Sequence, residues 1–269
     1  GGGMDLVGDI GGTHTRLALA RDGLLVDDTW ASFTNADFPD PESLIATFLQ
    51  GAPVIRRLCI AAAGPVAGQS LTLTNYPWVL ERMRLAALTG GAQVTLVNDM
   101  QGQGHGLCAV QKPHRHLAGP AQMQGDRALI VNIGTGLNAA VVHDFDGRTF
   151  VPPSEAGHMY LGGEKNAVLA EDQASGRALA AGKSQSDLAA ALALFLHDVA
   201  LVHLPDSGIY LTGGVAQALS GRIDWAALHH AMVGQGPYQT QLSAMGLFLV
   251  TDDRIALRGA ARIAAGMTA

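Results

Sequence analysis

Asp5–Leu19, with the sequence DLVGDIGGTHTRLAL, reads as a strand, a tight turn and a second strand. The turn contains Gly11 and Gly12, and two glycines allow backbone N–H groups to approach an anion closely because no Cβ intervenes. Asp9 ends the first strand beside this turn, where its carboxylate would repel a bare phosphate unless a cation lay between them. The pattern therefore indicates a magnesium–phosphate site, with an ordinary glycine hairpin as the alternative.

A second stretch has the same pattern of strand, Gly/Thr turn and strand. It runs from Leu129 to Val142 (LIVNIGTGLNAAVV), and an Asp-Gly turn follows it, as one follows the first stretch. Asn132 lies 123 positions after Asp9 (132 − 9), and the glycine turn follows at the same offset. An internal repeat of this length predicts two similar lobes. Each lobe would offer one Gly/Thr turn, so that two turns could hold a polyphosphate from both sides.

The composition limits the class of protein. The chain has 269 residues, of which 48% are hydrophobic and 15% charged, as expected for a compact globular protein with two cores. The formal net charge is −6 without a Lys/Arg block, which argues against nucleic acid or a membrane as a partner. We expect no membrane-spanning run and no signal peptide, and therefore a cytoplasmic protein. Cys59 and Cys108 are predicted to be buried thiols.

The order of elements predicts an α/β fold with a mixed sheet in each lobe, since strands alternate with helices. Predicted helices include Trp78 to Leu88, Met100 to Val110, Glu164 to Ala181, a strongly apolar helix capped by Ser184, and Asp253 to Ala265. Residues 4–99 with 254–269 are assigned to a small N-terminal lobe, and residues 100–253 to a large C-terminal lobe. In such folds, ligands bind at the carboxyl ends of strands.

Three polar or glycine pairs follow predicted strands or lie in a predicted loop. Asn98-Asp99 ends a strand, where a carboxylate can accept the proton of a hydroxyl group; a helix cap is the alternative. In the loop Glu155-Ala156-Gly157-His158, the carboxylate and imidazole are suited to hold a polyol. A metal pair is the rival, but the sequence has no second Glu-x-x-His to complete such a site, and an exposed polar loop is the remaining alternative. Gly213-Gly214 could let the backbone lie flat against a planar ligand such as adenine. Glu171, judged alone, reads as a solvated residue.

Taken in order, these blocks resemble the bacterial glucokinase family, within the hexokinase–actin–Hsp70 ATPase superfamily. The resemblance runs from Leu6 to about Ala265. It rests on Asp9-Ile10-Gly11-Gly12-Thr13, Thr74-Asn75-Tyr76-Pro77-Trp78, Val97-Asn98-Asp99, Gly134-Thr135-Gly136-Leu137 and Glu155-Ala156-Gly157-His158, extended by Glu171 with Ser175-Gly176-Arg177 and by Leu211-Thr212-Gly213-Gly214. It implies two ribonuclease-H-like lobes with mixed β-sheets, duplicated as in actin-like ATPases, and a cleft between them.

The resemblance also implies roles for single residues. Asp99 would be the catalytic base toward the primary hydroxyl of a sugar, and Asp9 would bind Mg²⁺ through water. The sugar's other hydroxyls would be held by Asn98, Glu155, His158 and Glu171. The phosphates of ATP would be held by Gly11, Gly12, Thr13, Gly134, Thr135 and Gly136, and its adenosine by Gly213 and Gly214.

Three positions depart from the family pattern. The family usually has Asn at the position of His14, Gly at that of Ala156 and Gly at that of Asn138. Because His14 borders the first glycine turn, it could alter nucleotide affinity or the dependence of that affinity on pH.

The expected activity is that of an ATP-dependent hexokinase-type sugar kinase, acting on glucose and forming a homodimer. The alternatives are a kinase for another hexose or for an N-acyl amino sugar, and a catalytically silent sugar-sensing protein of the same fold. An Hsp70-like or actin-like ATPase is disfavoured because the chain lacks room for their extra subdomains.

Overall fold

The computed structural model describes residues 2–161 and 168–267. Its strands are β1 (Met4–Ile10), β2 (His14–Arg21), β3 (Leu24–Leu25), β4 (Ala31–Thr34), β5 (Ile55–Ala62), β6 (Val66–Ala67), β7 (Ser70–Thr72), β8 (Val79–Glu81), β9 (Gln93–Asn98), β10 (Arg115–Ala118), β11 (Arg127–Ile133), β12 (Leu137–Phe145), β13 (Arg148–Phe150), β14 (Tyr160–Leu161), β15 (Val168–Leu169), β16 (Ile209–Thr212) and β17 (Leu247–Leu249). Its α-helices are α1 (Pro41–Phe48), α2 (Arg82–Leu88), α3 (Asp99–Gly106), α4 (Ala170–Gln173), α5 (Gly176–Ala180), α6 (Gln185–His203), α7 (Gly214–Leu219), α8 (Trp225–Val233), α9 (Gln239–Ser243) and α10 (Ile255–Ala264). Short 3₁₀ turns lie at Asn35–Asp37, Leu107–Ala109 and Ala156–His158.

Backbone contacts divide the chain into two compact units. The first unit comprises Gly1–Val110, Arg148–Phe150 and Asp253–Ala269, and the second comprises Gln111–Gly147 and Val151–Asp252. Residues 100–110, which the sequence-based division places in the second lobe, lie in the first unit when the chain is divided in this way.

The sheet of the first unit has the strand order β3-β2-β1-β5-β9, with β4 paired to β2. Strand β1 is antiparallel to β2 and parallel to β5, which is in turn parallel to β9. The register places Ile10 opposite Ala62, and Ala62 opposite Asn98. The carboxyl ends of the three parallel strands are therefore level, and the residues that follow them emerge at one edge of the sheet.

Both faces of this sheet are covered by helices. On one face, Leu6, Ile10, Leu58 and Ile60 pack in a core with the apolar residues of α1 and α2. On the other face, Val7 and Cys59 pack against Leu257, Ala260 and Ala261 of α10. Because both faces are buried, β1 and β5 are apolar along most of their length, as expected of parallel strands covered on both sides.

Helices α3 and α10 cross in direct backbone contact. A Cβ at Gly106 would overlap the carbonyl oxygen of Ile255, and one at Gly259 would overlap that of Gly102. Only glycine allows the two helix backbones to approach this closely, which explains the Gly-rich sequence of α3. The sequence-based prediction of a helix beginning near Met100 is confirmed.

The sheet of the second unit repeats the topology of the first. Its order β12-β11-β16-β17 matches β2-β1-β5-β9, and β10 adds an antiparallel strand at the end next to β17. Strand β11 is antiparallel to β12 and parallel to β16, with Asn132 opposite Thr212. The internal repeat and the predicted α/β class with mixed sheets are thus confirmed.

Helix α6 forms much of the core of the second unit. Ser184 caps it by accepting a hydrogen bond from the Asp187 N–H at 3.1 Å, as the sequence predicts. In length and apolar composition α6 meets the criteria for a membrane-spanning helix. The expectation that the sequence contains no apolar run of this length was therefore wrong. Its large side chains Leu192, Phe195 and Leu196 are fully buried against the sheet, however, which identifies α6 as a core helix.

Tertiary contacts overrule three other sequence predictions. The segment from Trp78 to Leu88 begins as strand β8, because Leu80 pairs with Leu71 of β7, and becomes helical only at Arg82. Of the predicted helix Glu164 to Ala181, residues 164–167 lie outside the described residues, and the remainder is β15, α4 and α5 with an extended break at Ser175. Cys59 is buried as predicted, whereas Cys108 is exposed.

Candidate active site

Asp9 lies near the carboxyl end of β1, two residues before Gly11, the first residue of the glycine turn. Burial raises the pKa of its carboxyl group to about 6, and the positive charge of Arg16 opposes this shift without cancelling it. A desolvated carboxylate in this state is stabilised by any cation that binds beside it. Asp9 thus lies at the strand end where the sequence predicts it.

Asn98 and Asp99 form the junction between β9 and α3, at the same edge of the sheet. The Asn98 side chain caps α3: its Oδ1 accepts from the Met100 N–H at 3.0 Å, and its Nδ2 donates to the Gly64 carbonyl at 3.3 Å. The cap weighed as an alternative is thus present. Asp99 is the first residue of the helix, and its Oδ1 accepts from the same N–H at 2.9 Å. The cap fixes the backbone that carries the Asp99 carboxylate.

The first glycine turn, at Gly11–Thr13, is braced by a residue that sequence reasoning missed. The Asn35 side chain is fully buried; its Nδ2 donates to the Gly11 carbonyl at 2.9 Å, and its Oδ1 accepts from the Thr15 hydroxyl at 2.7 Å. Its backbone N–H donates to the Thr13 carbonyl at 2.9 Å. Asn35 therefore binds the carbonyl groups of the turn, which are the groups an anion would not use.

The second glycine turn, at Gly134–Gly136, is held in a comparable way from outside. The Gly134 N–H donates to the Gly136 carbonyl at 3.0 Å, which closes the turn. The first two N–H groups of α5, of Gly176 and Arg177, donate to the carbonyls of Gly134 and Thr135 at 2.7 and 3.1 Å. These bonds connect the turn to the start of α5, which lies 42 residues later in the chain (176 − 134).

The loop with Glu155 and His158 is anchored by Asn138 of β12. The Asn138 Nδ2 donates to the Ser154 carbonyl at 2.7 Å, and its Oδ1 accepts from the Ala156 N–H at 2.9 Å. The same Nδ2 lies 3.5 Å from the Glu155 Oε2. At a position where the resembled family usually has glycine, this chain therefore uses an amide to fix the loop.

Glu171 on α4 lies close to His158 and to the second turn. Its side chain is only 8% exposed, so the interpretation of Glu171 as a solvated residue was wrong. Glu171 Oε1 lies 2.7 Å from Arg177 Nη1, and Oε2 lies 3.9 Å from His158 Nε2. A Cβ at Gly136 would stand 3.0 Å from Oε2. Arg177 is a second residue that sequence reasoning did not assign to the site.

Gly213-Gly214 lies between β16 and α7, as predicted. Gly213 has a φ of 100°, and a Cβ there would overlap the Ile133 carbonyl and crowd the Asn132 Oδ1, so the position requires glycine. A Cβ at Gly214 would meet no atom within 4 Å. The backbone at Gly214 is therefore open on the side where a flat ligand could lie.

The donors present fit a magnesium ion that is held jointly with phosphates. Among residues 2–161 and 168–267, no group of three or more His, Cys, Asp or Glu side chains could hold a metal ion unaided. Mg²⁺ typically takes only one or two carboxylates and completes its shell with water and substrate phosphates. The carboxyl group of Asp9, with its pKa raised to about 6, meets this requirement.

Comparison with known proteins gives consistent matches. The sequence model of the glucokinase family matches residues 6–171 and 165–267. The chain is 28% identical to a glucokinase of Chelativorans sp. over 312 aligned positions, which cover 96% of this chain and 90% of that protein.

Two solved structures share the fold. A glucokinase from an Antarctic psychrotroph has a TM-score of 0.78 at 20% identity, covering 99% of this chain and 100% of that one. A ROK family glucokinase from Streptomyces griseus, solved with glucose and AMPPNP, has a TM-score of 0.69 at 18% identity, covering 98% of this chain and 100% of that one.

Proposed function

Because the chain belongs to the glucokinase family, we propose that it transfers the γ-phosphoryl group of ATP to the primary hydroxyl of a hexose, and that the hexose is glucose. The observation that carries the proposal is the level register of β1, β5 and β9, which brings the Asp9 turn and Asn98-Asp99 to one sheet edge. A carboxylate that can take a proton and a turn that can bind phosphate are the two groups that phosphoryl transfer to a hydroxyl requires.

In the reaction, Asp99 acts as the general base. The hydroxyl oxygen of the sugar forms a bond to the γ-phosphorus, its proton passes to the Asp99 carboxylate, and the bond from the γ-phosphorus to the bridging oxygen breaks to release ADP. The first turn of α3 favours a negative charge at Asp99, because the helix N-terminus carries a partial positive charge. Positioning and electrostatics supply most of the rate enhancement, since the transition state of this transfer is loose.

The remaining sugar hydroxyls are assigned to Asn98, Glu155, His158 and Glu171. The carboxylates of Glu155 and Glu171 accept hydrogen bonds from hydroxyls, and His158 can donate or accept. The fixing of the loop by Asn138 and of Glu171 by Arg177 supports this assignment, because a polyol site gains affinity when its side chains are already ordered.

The nucleotide is assigned to the glycine turns and to Gly213-Gly214. The turns Gly11–Thr13 and Gly134–Gly136 would bind the phosphates, and the open backbone at Gly214 would take the adenosine. The N–H groups of Gly11 and Gly134 already donate to the carbonyls of His14 and Gly136. The N–H groups assigned to phosphate oxygens are therefore those of Gly12, Thr13, Thr135 and Gly136. Asp9 would hold Mg²⁺ through water, and the ion would neutralise charge on the phosphate oxygens. We further propose a cytoplasmic homodimer that has neither nucleic acid nor a membrane as partner; the net charge of −6 supports the last point.

A coupled assay of ADP release tests the activity. With ATP and Mg²⁺, a panel of glucose, mannose, fructose, N-acetylglucosamine and N-acetylmannosamine should give the highest kcat/KM for glucose. A higher value for an N-acyl amino sugar would favour that alternative substrate. If the protein bound a sugar of the panel but released ADP with none of the five sugars, this result would contradict the kinase activity and favour the silent sugar-sensing protein.

The Asp99→Asn variant tests the assigned base. We expect kcat to fall about 10²–10⁴-fold, the usual cost of losing a general base, while the dissociation constant of the sugar stays close to that of the unchanged protein. The control is Asp37→Asn, an exposed aspartate of the same unit, which should leave kcat unchanged. If Asp99→Asn kept more than a tenth of its kcat, Asp99 would not be the base.

A further inference from the structure

Residue 177 connects two parts of the second unit that the proposed function assigns to different substrates. Its backbone N–H donates to the Thr135 carbonyl at 3.1 Å, within the turn assigned to phosphate. Its guanidinium Nη1 lies 2.7 Å from Oε1 of Glu171, the carboxylate assigned to the sugar. Arg177 therefore contacts the turn assigned to phosphate through its main chain, and the sugar-binding residue Glu171 through its side chain.

The Glu171 carboxylate has little freedom apart from its contact with Arg177. It is buried, and the Cα atoms of Gly136 and Gly157 lie so near that added Cβ atoms would stand 3.0 and 3.5 Å from Oε2. Oε2 is also the oxygen that lies 3.9 Å from His158 Nε2. Arg177 thus contacts Oε1 and leaves Oε2 of Glu171 near His158, another residue assigned to the sugar.

The charge of Arg177 also compensates that of Glu171. A buried carboxylate that loses its cationic partner is left with an uncompensated charge, and the loss of such a partner is strongly destabilising for the charged form. Arg177 itself is 43% exposed and lies 3.8 Å from Asp172 as well. Its guanidinium is therefore accessible from solvent while its partner is not, so a substitution at 177 changes the environment of Glu171 without opening the core.

We propose that Arg177 is a positioning residue that couples nucleotide binding at Gly134–Gly136 to sugar binding at Glu171, so that each ligand raises the affinity for the other. This inference rests on the proposed function. Phosphate bound to the turn orders its peptide groups, and the N–H groups of Gly176 and Arg177 are bonded to two of these groups. The start of α5, and with it the contact between Arg177 and Glu171, is then held more firmly when the sugar arrives, and the sugar bears less of the entropic cost of ordering it. Coupling of this kind is reciprocal by linkage.

The test measures the dissociation constant of glucose by calorimetry, with and without Mg²⁺ and AMPPNP. We compare the unchanged protein with Arg177→Met, Arg177→Lys, Glu171→Gln and the double variant Glu171→Gln/Arg177→Met. Arg115→Met is the matched control, because Arg115 is an exposed arginine of the same unit whose Nη1 donates to an uncharged group, the Ser220 hydroxyl, at 3.2 Å.

The nucleotide analogue should tighten glucose binding several-fold in the unchanged protein and in Arg115→Met. Arg177→Met should weaken glucose binding about tenfold or more, as expected for a lost charge-assisted hydrogen bond. In this variant, the ratio of the glucose dissociation constants without and with the analogue should be close to one. Arg177→Lys keeps the charge but not the planar fork and should lie between the two. In the Glu171→Gln background, Arg177→Met should have no further effect on glucose binding, since Arg177 acts through Glu171.

Two results would overturn the inference. One is an effect of the analogue in Arg177→Met and Arg177→Lys equal to that in the unchanged protein; with normal ADP release by the unchanged protein, this result leaves the proposed function standing. The other is additivity of Glu171→Gln and Arg177→Met, which would show that Arg177 acts independently of Glu171. If Arg177→Met did not fold, the comparison of Arg177→Lys with Arg115→Met would decide. Failure of the unchanged protein to bind any hexose would refute the proposed function as well.

Discussion

Asp9 and Arg16 lie directly opposite each other on the antiparallel strands β1 and β2. Their charges attract, yet burial still raises the pKa of Asp9 to about 6. The guanidinium of Arg16 is engaged elsewhere, since its Nη1 donates to the Asp253 carbonyl at 2.6 Å. Asp9 is therefore a carboxylate whose ionisation the charge of Arg16 does not fully compensate, as expected for a group that functions beside a cation.

The first prediction is that Asp9→Asn stabilises the protein at neutral pH in the absence of Mg²⁺ and nucleotide. The native state holds the Asp9 proton more tightly than the unfolded state, so the free energy of unfolding falls as pH rises from about 4 to about 6. A shift from 3.8 to about 6 corresponds to a penalty on the order of 2–3 kcal/mol above pH 6. Urea unfolding at pH 7.5 should therefore show a more stable variant, and unfolding at pH 4 should show no gain.

Asp37→Asn, an exposed substitution in the same unit, is the control and should change the stability at neither pH. The gain of Asp9→Asn should come with loss of activity, because the variant cannot hold Mg²⁺ as proposed. A variant equally stable relative to the unchanged protein at pH 4 and at pH 7.5 would contradict the burial of the Asp9 charge.

The second prediction concerns Asn138, which holds the loop with Glu155 and His158. Asn138→Gly removes the hydrogen bonds to the Ser154 carbonyl and from the Ala156 N–H. We expect a loss of stability of about 1 kcal/mol, because two partly buried backbone groups lose their hydrogen bonds, and a several-fold rise in the KM for the sugar. The KM for ATP should change little, since the loop is assigned to the sugar alone.

Asn138→Asp is a second variant: it keeps the acceptor for the Ala156 N–H but puts a carboxylate oxygen where the donor to the Ser154 carbonyl was, 3.5 Å from Glu155 Oε2. Because this oxygen repels both acceptors, the KM for the sugar should rise at least as far as in Asn138→Gly. Equal sugar KM values in all three proteins would show that the anchoring of the loop does not matter for sugar binding.

The third prediction concerns His14, which is exposed at the start of β2 and whose carbonyl accepts from the Gly11 N–H at 2.9 Å. An imidazole N–H beside the phosphate turn can donate a hydrogen bond to a phosphate oxygen, as the amide of Asn would. His14→Ala removes this donor and should raise the KM for ATP several-fold. His14→Asn, which restores the residue usual in the resembled family, should keep the KM for ATP close to that of the unchanged protein.

The proteins are compared in the same buffer at saturating Mg²⁺. His230→Ala, at an exposed histidine of the second unit, is the control and should keep the KM for ATP of the unchanged protein. Equal KM values for ATP in His14→Ala and the unchanged protein would show that His14 points away from the phosphates.

The fourth prediction concerns the crossing of α3 and α10. In Gly259→Ala, the added methyl group would overlap the Gly102 carbonyl, so the helices must separate. Overpacking of this kind usually costs about 1–3 kcal/mol, and we expect at least that here because backbone, not a flexible side chain, must move. Thermal unfolding should show a Tm lowered by several degrees.

The control for the helix crossing is Gly236→Ala, where the methyl group would meet no atom within 4 Å. Its Tm should stay close to that of the unchanged protein. Since Asp99 begins α3, a shift of this helix should also lower kcat. A Gly259→Ala variant with the Tm and kcat of the unchanged protein would mean that the helices are not in backbone contact.

The sequence alone determined the features that depend on neighbouring residues. The two strand–turn–strand repeats, the Ser184 cap and the strand ends that carry Asp9, Asn98-Asp99 and Gly213-Gly214 are each specified by a short pattern of apolar residues, glycines and polar caps. Such patterns act through the local backbone. The offset between the repeats predicted two similar lobes, and the alternation of strands with helices predicted the α/β class.

Only the tertiary structure decided features that depend on distant partners. The residues around Leu80 form a strand because β7 lies beside them. The predicted helix is interrupted at Ser175, because the N–H groups of Gly176 and Arg177 donate to carbonyls of the second glycine turn. The contacts of Asn35 and Arg177 could not be predicted from the sequence, although Arg177 stands in one of the blocks that carry the family resemblance, since each residue contacts its partner only after the chain has folded. Long-range hydrogen bonds and burial can outweigh local helical preference, because that preference amounts to less than about 1 kcal/mol for most residues.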